Sequence, residues 1–335
     1  MPRDMLRWLI CFMVLVNTRA DVHVGGALNI FSHFGNLGAV IKVNPHNTAS
    51  RFFDHESVDV FEEVLETRSS PYTFENPKFN GHFRMQLCDN LEHLQQVYFR
   101  SYYIEGIEKP WKALAGGWTS AVLARHLGLN STFVAGNYGY GLVRLSRVYE
   151  LVRLTPHMGL RLNNWTAERT ELVIPGQVGS VLAFIQQSGS HYVNSYTTGN
   201  SLYQVYAFTP VVYKELKIEM HYYEVRKVSL GRVLSFFSPW RAEYVGLIRS
   251  SSGNSSLEQW ASNYLFSRFI MFSYPNLLKL YVRPDLLQEL NYRLGNDALL
   301  SVDMRSLAPL IRDSGKRHWF QEVLDNHLKL WELNV

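Results

Sequence analysis

The sequence predicts an α+β fold: strands separated by clusters of helices, closed by a C-terminal helical extension. Three observations carry this. Phe79 to Leu87 sets Phe79, Gly81, Phe83, Met85 and Leu87 against Asn80, His82, Arg84 and Gln86, the period of two of a half-buried strand. Val178 to Gln187 places Val178, Val181, Leu182 and Ile185 at helical spacing, and Gly189 stands where a left-handed C-terminal cap is wanted. After it, Tyr192 to Tyr196 and Tyr203 to Phe208 are rich in aromatic and β-branched residues. Gly199 lies between them, where a strand bends, bulges or meets another backbone.

At the N-terminus, Arg3 and Arg7 precede an apolar run, Trp8 to Val16, and then Asn17-Thr18-Arg19-Ala20, the pattern of a secretory signal cleaved after Ala20. Nine apolar residues fall well short of the roughly 20 that a spanning helix needs. Residues 21–78 read as an N-terminal segment packing on the core, irregular at first, with a helix expected where Val58, Phe61, Val64 and Leu65 recur between Ser57 and Ser69-Ser70-Pro71. The main domain is expected over 79–274. Its first strand gives way to helices on the stripe Leu87, Leu91, Leu94, Tyr98 and over Thr119 to Leu127, stopped by Gly128. Thr132 to Val134 and Leu142 to Leu154 read as the second strand, and a polar stretch, Arg161 to Gln177, leads into the Val178 helix. Leu216, Ile218, Met220 and Tyr222 alternate with Lys217, Glu219, His221 and Tyr223, which predicts another strand. Arg249 to Ser256 reads as a loop, and Trp260 to Phe269 fits helix or strand. Asp285 to Arg293, Ser306 to Arg312 and His318 to Trp331 carry helical spacing, so 275–335 reads as the helical extension.

Composition fixes the class. With 47% hydrophobic and 14% aromatic residues in 335, the chain is too apolar for disorder and long enough for a large core. Loss of residues 1–20 removes three arginines and one aspartate and lowers the formal charge from +4 to about +2. With no dense Lys/Arg cluster, nucleic acid is not an expected partner. Cys11 leaves with the signal, so Cys88 is the mature chain's single cysteine, either buried and inert or paired with another chain. Asn130-Ser131-Thr132, Asn164-Trp165-Thr166 and Asn254-Ser255-Ser256 are N-glycosylation sequons, consistent with secretion.

Gly189, Ser190, His191, Tyr192, six residues and then Gly199 resemble the signature of the membrane attack complex/perforin (MACPF) family: aromatic, Gly, Thr or Ser, His, aromatic, six residues, Gly-Gly. Ser188 replaces the usual aromatic and Asn200 the second glycine. The resemblance covers roughly Phe79 to Tyr274. It implies a bent four-stranded antiparallel sheet flanked by two helical clusters, which in pore-forming members unfurl into membrane-crossing hairpins. It also includes secreted, non-lytic members that act upstream of a receptor tyrosine kinase. For this chain the implied partners are an extracellular protein ligand or receptor of such a pathway, with an eggshell (vitelline membrane) matrix or a membrane surface as alternatives. The implied location is extracellular: perivitelline space, eggshell matrix or outer cell surface. No cofactor, metal or catalytic residue is implied.

The residues themselves argue against a pore and against the familiar hydrolases. In His93 to Glu105 neither alternate face is apolar, and Arg100 facing lipid near the midplane costs about 2–4 kcal/mol in a barrel strand. Ser190 beside His191 invites a nucleophile-base reading, but adjacent strand residues face opposite sides, so the two are not expected to touch. The Gly-x-Ser-x-Gly elbow is absent, His55-Glu56 lacks the second histidine of a metalloprotease helix, and no dinucleotide fingerprint follows Gly139-Tyr140-Gly141. His191 is expected to be a buried, hydrogen-bonded histidine at the helix-strand junction.

Overall fold

Two long antiparallel strands, Gly139–Leu154 and His191–Phe208, form the spine of the molecule. The computed structural model describes residues 23–33, 36–41, 57–70, 81–155, 160–226, 230–269 and 272–334. The signal segment 1–20, with Cys11, and the start of the first expected strand at Phe79 and Asn80 lie outside the described residues.

In chain order, β1 (Gly26–Leu28), the short helix α1 (Leu37–Val40), β2 (Val58–Asp59) and β3 (Glu66–Ser69) precede β4 (His82–Cys88). The first helical cluster follows. In it, α2 (Leu91–Phe99) begins at Asn90, whose side chain accepts the His93 N–H at 2.8 Å. After β5 (Tyr102–Ile104), α3 (Pro110–Ala115) opens on a proline. α4 (Ser120–Leu127) is capped by Thr119 and ends, as expected, at Gly128, which takes a left-handed φ of 69°. The single-turn α5 (Thr132–Ala135) leads into β6 (Gly139–Leu154). Next come α6 (Asn164–Glu171), α7 (Val178–Ser188) and β7 (His191–Phe208). A second cluster holds α8 (Pro210–Arg226) and α9 (Leu230–Ser235), followed by β8 (Tyr244–Val245), β9 (Arg249–Ser250) and α10 (Ser255–Tyr264). The chain ends with the hairpin β10 (Phe266–Phe269) and β11 (Phe272–Pro275), α11 (Lys279–Val282), α12 (Pro284–Arg293), β12 (Ala298–Ser306), a 3₁₀ turn at Ala308–Leu310 and α13 (Ser314–Asn334).

The fold class is the expected one. The four longest strands, β4, β6, β7 and β12, are antiparallel neighbours in that order, with six short strands on their edges and ends. β4 pairs with the first half of β6, from Cys88↔Tyr140 to His82↔Ser146, and β3 with its far end, from Ser69↔Leu151 to Glu66↔Leu154. Between those two blocks the β6–β7 register shifts by a residue between Val148 and Glu150. An extra residue in one strand of an antiparallel pair bends that strand and sharpens its twist. β7 likewise changes partners along its length: β1 and β12 over its first half, β9 and β8 over its second.

Helices cover both faces of this sheet. Tyr140 and Leu142 of β6, with Tyr203, Val205 and Ala207 of β7, face a core shared with α2–α7, β12 and α13. The intervening Val143, Leu145, Leu202, Tyr206 and Phe208 face a second core built with α8, α9, α10 and α12. Successive strand residues point to opposite faces, so burial on both sides removes the polar alternation a half-wet strand would show.

Several expected elements differ. The stretch 58–69, expected as a helix, is extended: Val58–Asp59 pairs with β1, Phe61 bridges Leu162, and Glu66–Ser69 pairs with β6. Residues 132–134 are a helical turn outside the strand. The alternation at 216–223 belongs to α8. Its buried stripe is Tyr213 and Leu216, with Met220 and Tyr223 packed beside them, while Ile218 and Tyr222 are exposed. The same letters satisfy both periods, and Pro210 at the first helical position favours the helix. In α7 the buried stripe is Val181, Phe184, Ile185 and Ser188, leaving Val178 and Leu182 largely exposed. Arg249–Ser250, expected in a loop, is a short strand on β7, and 260–269 divides into helix and hairpin. The C-terminal stretch is helical at 284–293 and 314–334 as expected, but it also supplies β12, the fourth long strand.

The α8 assignment has a direct test. Leu216→Ala is expected to cost about 2–4 kcal/mol in denaturant unfolding, whereas Ile218→Ala stays within about 0.5 kcal/mol. Equal losses at the two positions would restore the strand reading, in which they share a face.

Candidate functional site: the glycine-histidine junction

The signature residues meet where β1, β5, β7 and β12 converge on the end of α7. Gly189 ends the helix with its N–H on the Ile185 carbonyl at 2.9 Å. Its φ of 85° and ψ of 171° are not the expected left-handed cap but an extended conformation essentially reserved for glycine. A Cβ here would also lie 2.9–3.0 Å from backbone atoms of Leu28. That close approach lets the Ser190 N–H reach the Leu28 carbonyl at 2.9 Å, while the Leu307 N–H donates to the Ser190 carbonyl at 3.1 Å. Ser190 Oγ accepts the Ile30 N–H at 3.3 Å.

Ser190 and His191 do touch, contrary to expectation: His191 Nδ1 lies 3.1 Å from Ser190 Oγ. Ser190 sits in the bend ahead of β7, so the opposite-face rule for paired strand residues does not apply to it. His191 Nε2 lies 2.9 Å from the Glu105 backbone carbonyl. A carbonyl only accepts, so Nε2 carries the proton and Nδ1 is the acceptor facing the hydroxyl. Both side chains are fully buried, and the histidine is oriented by a backbone carbonyl where a hydrolase would place a carboxylate. Burial lowers the imidazole to about 4, against a smaller upward pull from the Glu105 bond, so it is neutral at physiological pH. Tyr192 packs edge-on against Phe61, with ring centroids 5.1 Å apart.

Sequence reasoning missed Glu105. Its carbonyl holds His191, its N–H donates to the Met304 carbonyl at 3.0 Å, and its carboxylate accepts the Ser306 N–H at 2.9 Å. No local motif marks it, because all three partners are far away in sequence.

Farther along β7, Gly199 has φ 156° and pairs with Val148 on one side and Ala298 on the other. An added Cβ would overlap the Arg147 carbonyl oxygen at 2.1 Å, so the bulge closes only over a glycine. Asn200, in place of the second glycine, is fully buried and fully used. Its Nδ2 donates to Ser252 Oγ at 2.9 Å and Asp297 Oδ1 at 2.8 Å, and its Oδ1 accepts from the Ser201 N–H at 2.8 Å and the Ser252 N–H at 3.3 Å. It ties the middle of β7 to the start of β12 and to the segment after β9.

The remaining predicted sites lie apart from this junction. Asn130 and Asn164 are exposed and Asn254 half-buried. Asn254 caps α10 through its Oδ1, which leaves the amide nitrogen uninvolved in the cap. Cys88 is a buried free thiol, pushed up to about 12 mainly by burial, hence protonated and a poor nucleophile. Among the described residues no group of three or more His, Cys, Asp or Glu could hold a metal ion, and no helix is long and apolar enough to cross a membrane.

No protein-family model matches the sequence, and comparison with curated proteins finds no match. Solved structures align with it at low identity. GNIP1Aa from Chromobacterium piscinae aligns with 92% of this chain and 57% of its own, at 11% identity and a TM-score of 0.45. A protein of Bacteroides thetaiotaomicron, described as a cell invasion protein with a MAC/Perforin domain, aligns over 91% of this chain and 60% of its own, at 8% identity and a TM-score of 0.39. The chain therefore spans less than two thirds of either. Astrotactin-2, described as a perforin-like vertebrate membrane protein involved in neuronal development, is covered over 99% of its length by 87% of this chain, at 14% identity and a TM-score of 0.36.

Two measurements test the junction. The folded-state pKa of His191 is below its unfolded value, so the unfolded chain binds the extra proton as pH falls from about 6.5 toward 4. Stability is expected to drop over that window by on the order of 3 kcal/mol. In His191→Gln the slope of stability against pH flattens there, and an unchanged slope would remove the assignment. Gly199→Ala is expected to cost about 2–4 kcal/mol, from a strained φ together with overpacking against Arg147. A change below about 0.5 kcal/mol would show that the bulge tolerates a side chain.

Proposed function

We propose that this chain is a secreted, non-lytic perforin-like protein that serves as an extracellular accessory factor in receptor tyrosine kinase signalling. Its signal-like N-terminus, length, sequons, disulfide-free body and C-terminal helices are compatible with the insect torso-like protein, which it resembles. On that likeness, the pathway is the torso pathway of embryonic terminal patterning, growth or developmental timing. Its partner is an extracellular ligand or receptor of that pathway, met in the perivitelline space, in the eggshell matrix or on the outer cell surface. The histidine-serine pair is architectural in this reading, and no cofactor takes part.

The observation that carries the non-lytic half is how the first helical cluster is tied down. Within the segment that would have to refold into a membrane hairpin, β5 pairs in parallel with β12, from Val302↔Tyr102 to Met304↔Ile104. Tyr102 Oη donates to the Leu299 carbonyl at 2.7 Å. Glu332 of α13 reaches across to accept the N–H groups of Glu108 and Lys109 at 2.7 and 2.9 Å. Release of the cluster therefore requires breaking the strand pair at this edge of the sheet and undocking the C-terminal helix, and the segment released still has no apolar face. Exposed Asn130 and Asn164 suit a glycosylated extracellular surface.

The expected result with purified mature protein is no dye release from liposomes, together with increased ligand-dependent phosphorylation of a torso-type receptor on cells. Dose-dependent leakage accompanied by ring-shaped oligomers would overturn the non-lytic reading. Receptor phosphorylation that does not respond to the protein would overturn the signalling role.

A further inference from the structure

A cleft of about 210 Å³ opens between β4, the bulged part of β6, β7, β12 and the end of α2. Its wall is unusual in charge. Arg84, Arg100 and Arg144 converge on it with His82, beside hydroxyls from Ser101, Ser146, Thr197, Ser201, Ser251 and Ser301, and no aspartate or glutamate lines it.

Two features show that this charge is positioned and uncompensated. Arg84 and Arg144 are directly opposite each other in the β4–β6 register, a like-charge cross-strand pair that costs stability unless something neutralises it. None of the ion pairs among the described residues involves Arg84, Arg100 or Arg144. Arg144 is also held rigidly. Its guanidinium lies 4.7 Å from the Tyr98 ring centroid and 5.5 Å from that of Tyr203, and it donates to the Tyr98 carbonyl at 3.3 Å. Its Nε is nevertheless buried without a partner among the described residues.

The rival explanation is that these arginines neutralise the carboxyl end of α2. That end carries about half an elementary charge, and Arg144 already meets it, so Arg84 and Arg100 remain in excess. Planar guanidinium forks match oxyanion geometry bidentately. Serine hydroxyls both donate and accept, which suits hydrogenphosphate, whose own hydroxyl needs an acceptor, better than sulfate. The volume lies below the roughly 300–1,000 Å³ of pockets for drug-sized ligands.

We propose that this cleft is a phosphate-binding site, taking either free phosphate or the phosphomonoester of a lipid headgroup. The site stands independently of the signalling role. The test uses the full mature chain, as wild type, as the rim variant Arg84→Gln/Arg100→Gln and as Arg144→Gln. Each is titrated calorimetrically with inorganic phosphate and inorganic sulfate and tested for co-sedimentation with phosphatidylcholine vesicles with and without phosphatidylinositol phosphate. Wild type is expected to bind phosphate, and the rim variant to bind at least tenfold more weakly. In phosphate-free buffer the rim variant's Tm is unchanged or higher, because the like-charge pair is gone. Sedimentation only with phosphoinositide vesicles identifies the headgroup as the source, and phosphate binding without vesicle binding identifies the free ion. Because the stacked Arg144 could be needed for folding, the rim variant decides the matter if Arg144→Gln does not fold. Equal binding by the rim variant, no response to phosphate in either form, or a preference for sulfate would overturn the proposal.

Discussion

Where the first half of β6 pairs with the second half of β7, the ladder is buried on both faces, and that constraint governs many other choices in the chain. A strand with a wet side can place polar residues there at no cost, whereas here each polar side chain on the spine must find a partner inside the protein. Gln204 meets this demand in full, where Arg144 Nε and Thr198 Oγ1 on the same two strands do not: its amide nitrogen donates to the Gly246 and Pro275 carbonyls at 2.7 and 2.9 Å. Its carbonyl accepts from the Leu277 N–H and sits 2.7 Å from Tyr206 Oη. Asn200, four residues earlier on the same face, makes the corresponding set of bonds to the segments around Ser252 and Asp297. The two amides convert irregular chain, which packs poorly, into segments fixed against the sheet by hydrogen bonds.

The two signature glycines answer a related steric demand. At Gly189 the helix end and β1 lie within backbone contact, and at Gly199 the same is true of β7 and the bulged β6. Each position excludes a Cβ by proximity as well as by conformation. The histidine between them then acts as a spacer with two polar ends, joining the β5 end to the bend before β7. The signature therefore specifies how four strands meet one helix.

Much of this was legible in the residues. The β4 alternation, the end of α4 at Gly128 and the α7-to-β7 transition rest on local rules and correspond to elements in the structure, whereas the glycines at 189 and 199 are required by the distant backbone of Leu28 and Arg147. What was not legible depended on distant partners. The stretch from Val58 to Ser69 has helical spacing but is held extended by β1 and β6. Ala298 to Ser306 lies among helical patterns and becomes a strand because β7 offers it an edge. Glu105 and the partners of Asn200 carry no motif, since their roles are created by the fold. The α8 stretch failed for another reason: eight residues in which polar and apolar alternate also contain a three-and-four stripe, and only burial separates the two.

The two helical clusters are held by different kinds of interaction, and this bears on which part of the molecule can move. The first is tied through backbone by β5 to β12 and by Glu332 to the start of α3, and through side chains by the Tyr98–Tyr203 contact to the sheet, with Oη atoms 3.2 Å apart. The second is held mainly by apolar packing of Tyr213, Leu216, Val233, Phe236 and Phe237, with an exposed Lys217–Asp89 ion pair of the kind that contributes about 0–1 kcal/mol. It also leaves Val211 and Ile218 in solvent. Local opening follows the balance of buried contact and protected backbone bonding, so the second cluster is the more readily displaced of the two. A transition that needs both clusters to unfurl would be limited by the first, whose release begins with the pairing between β5 and β12.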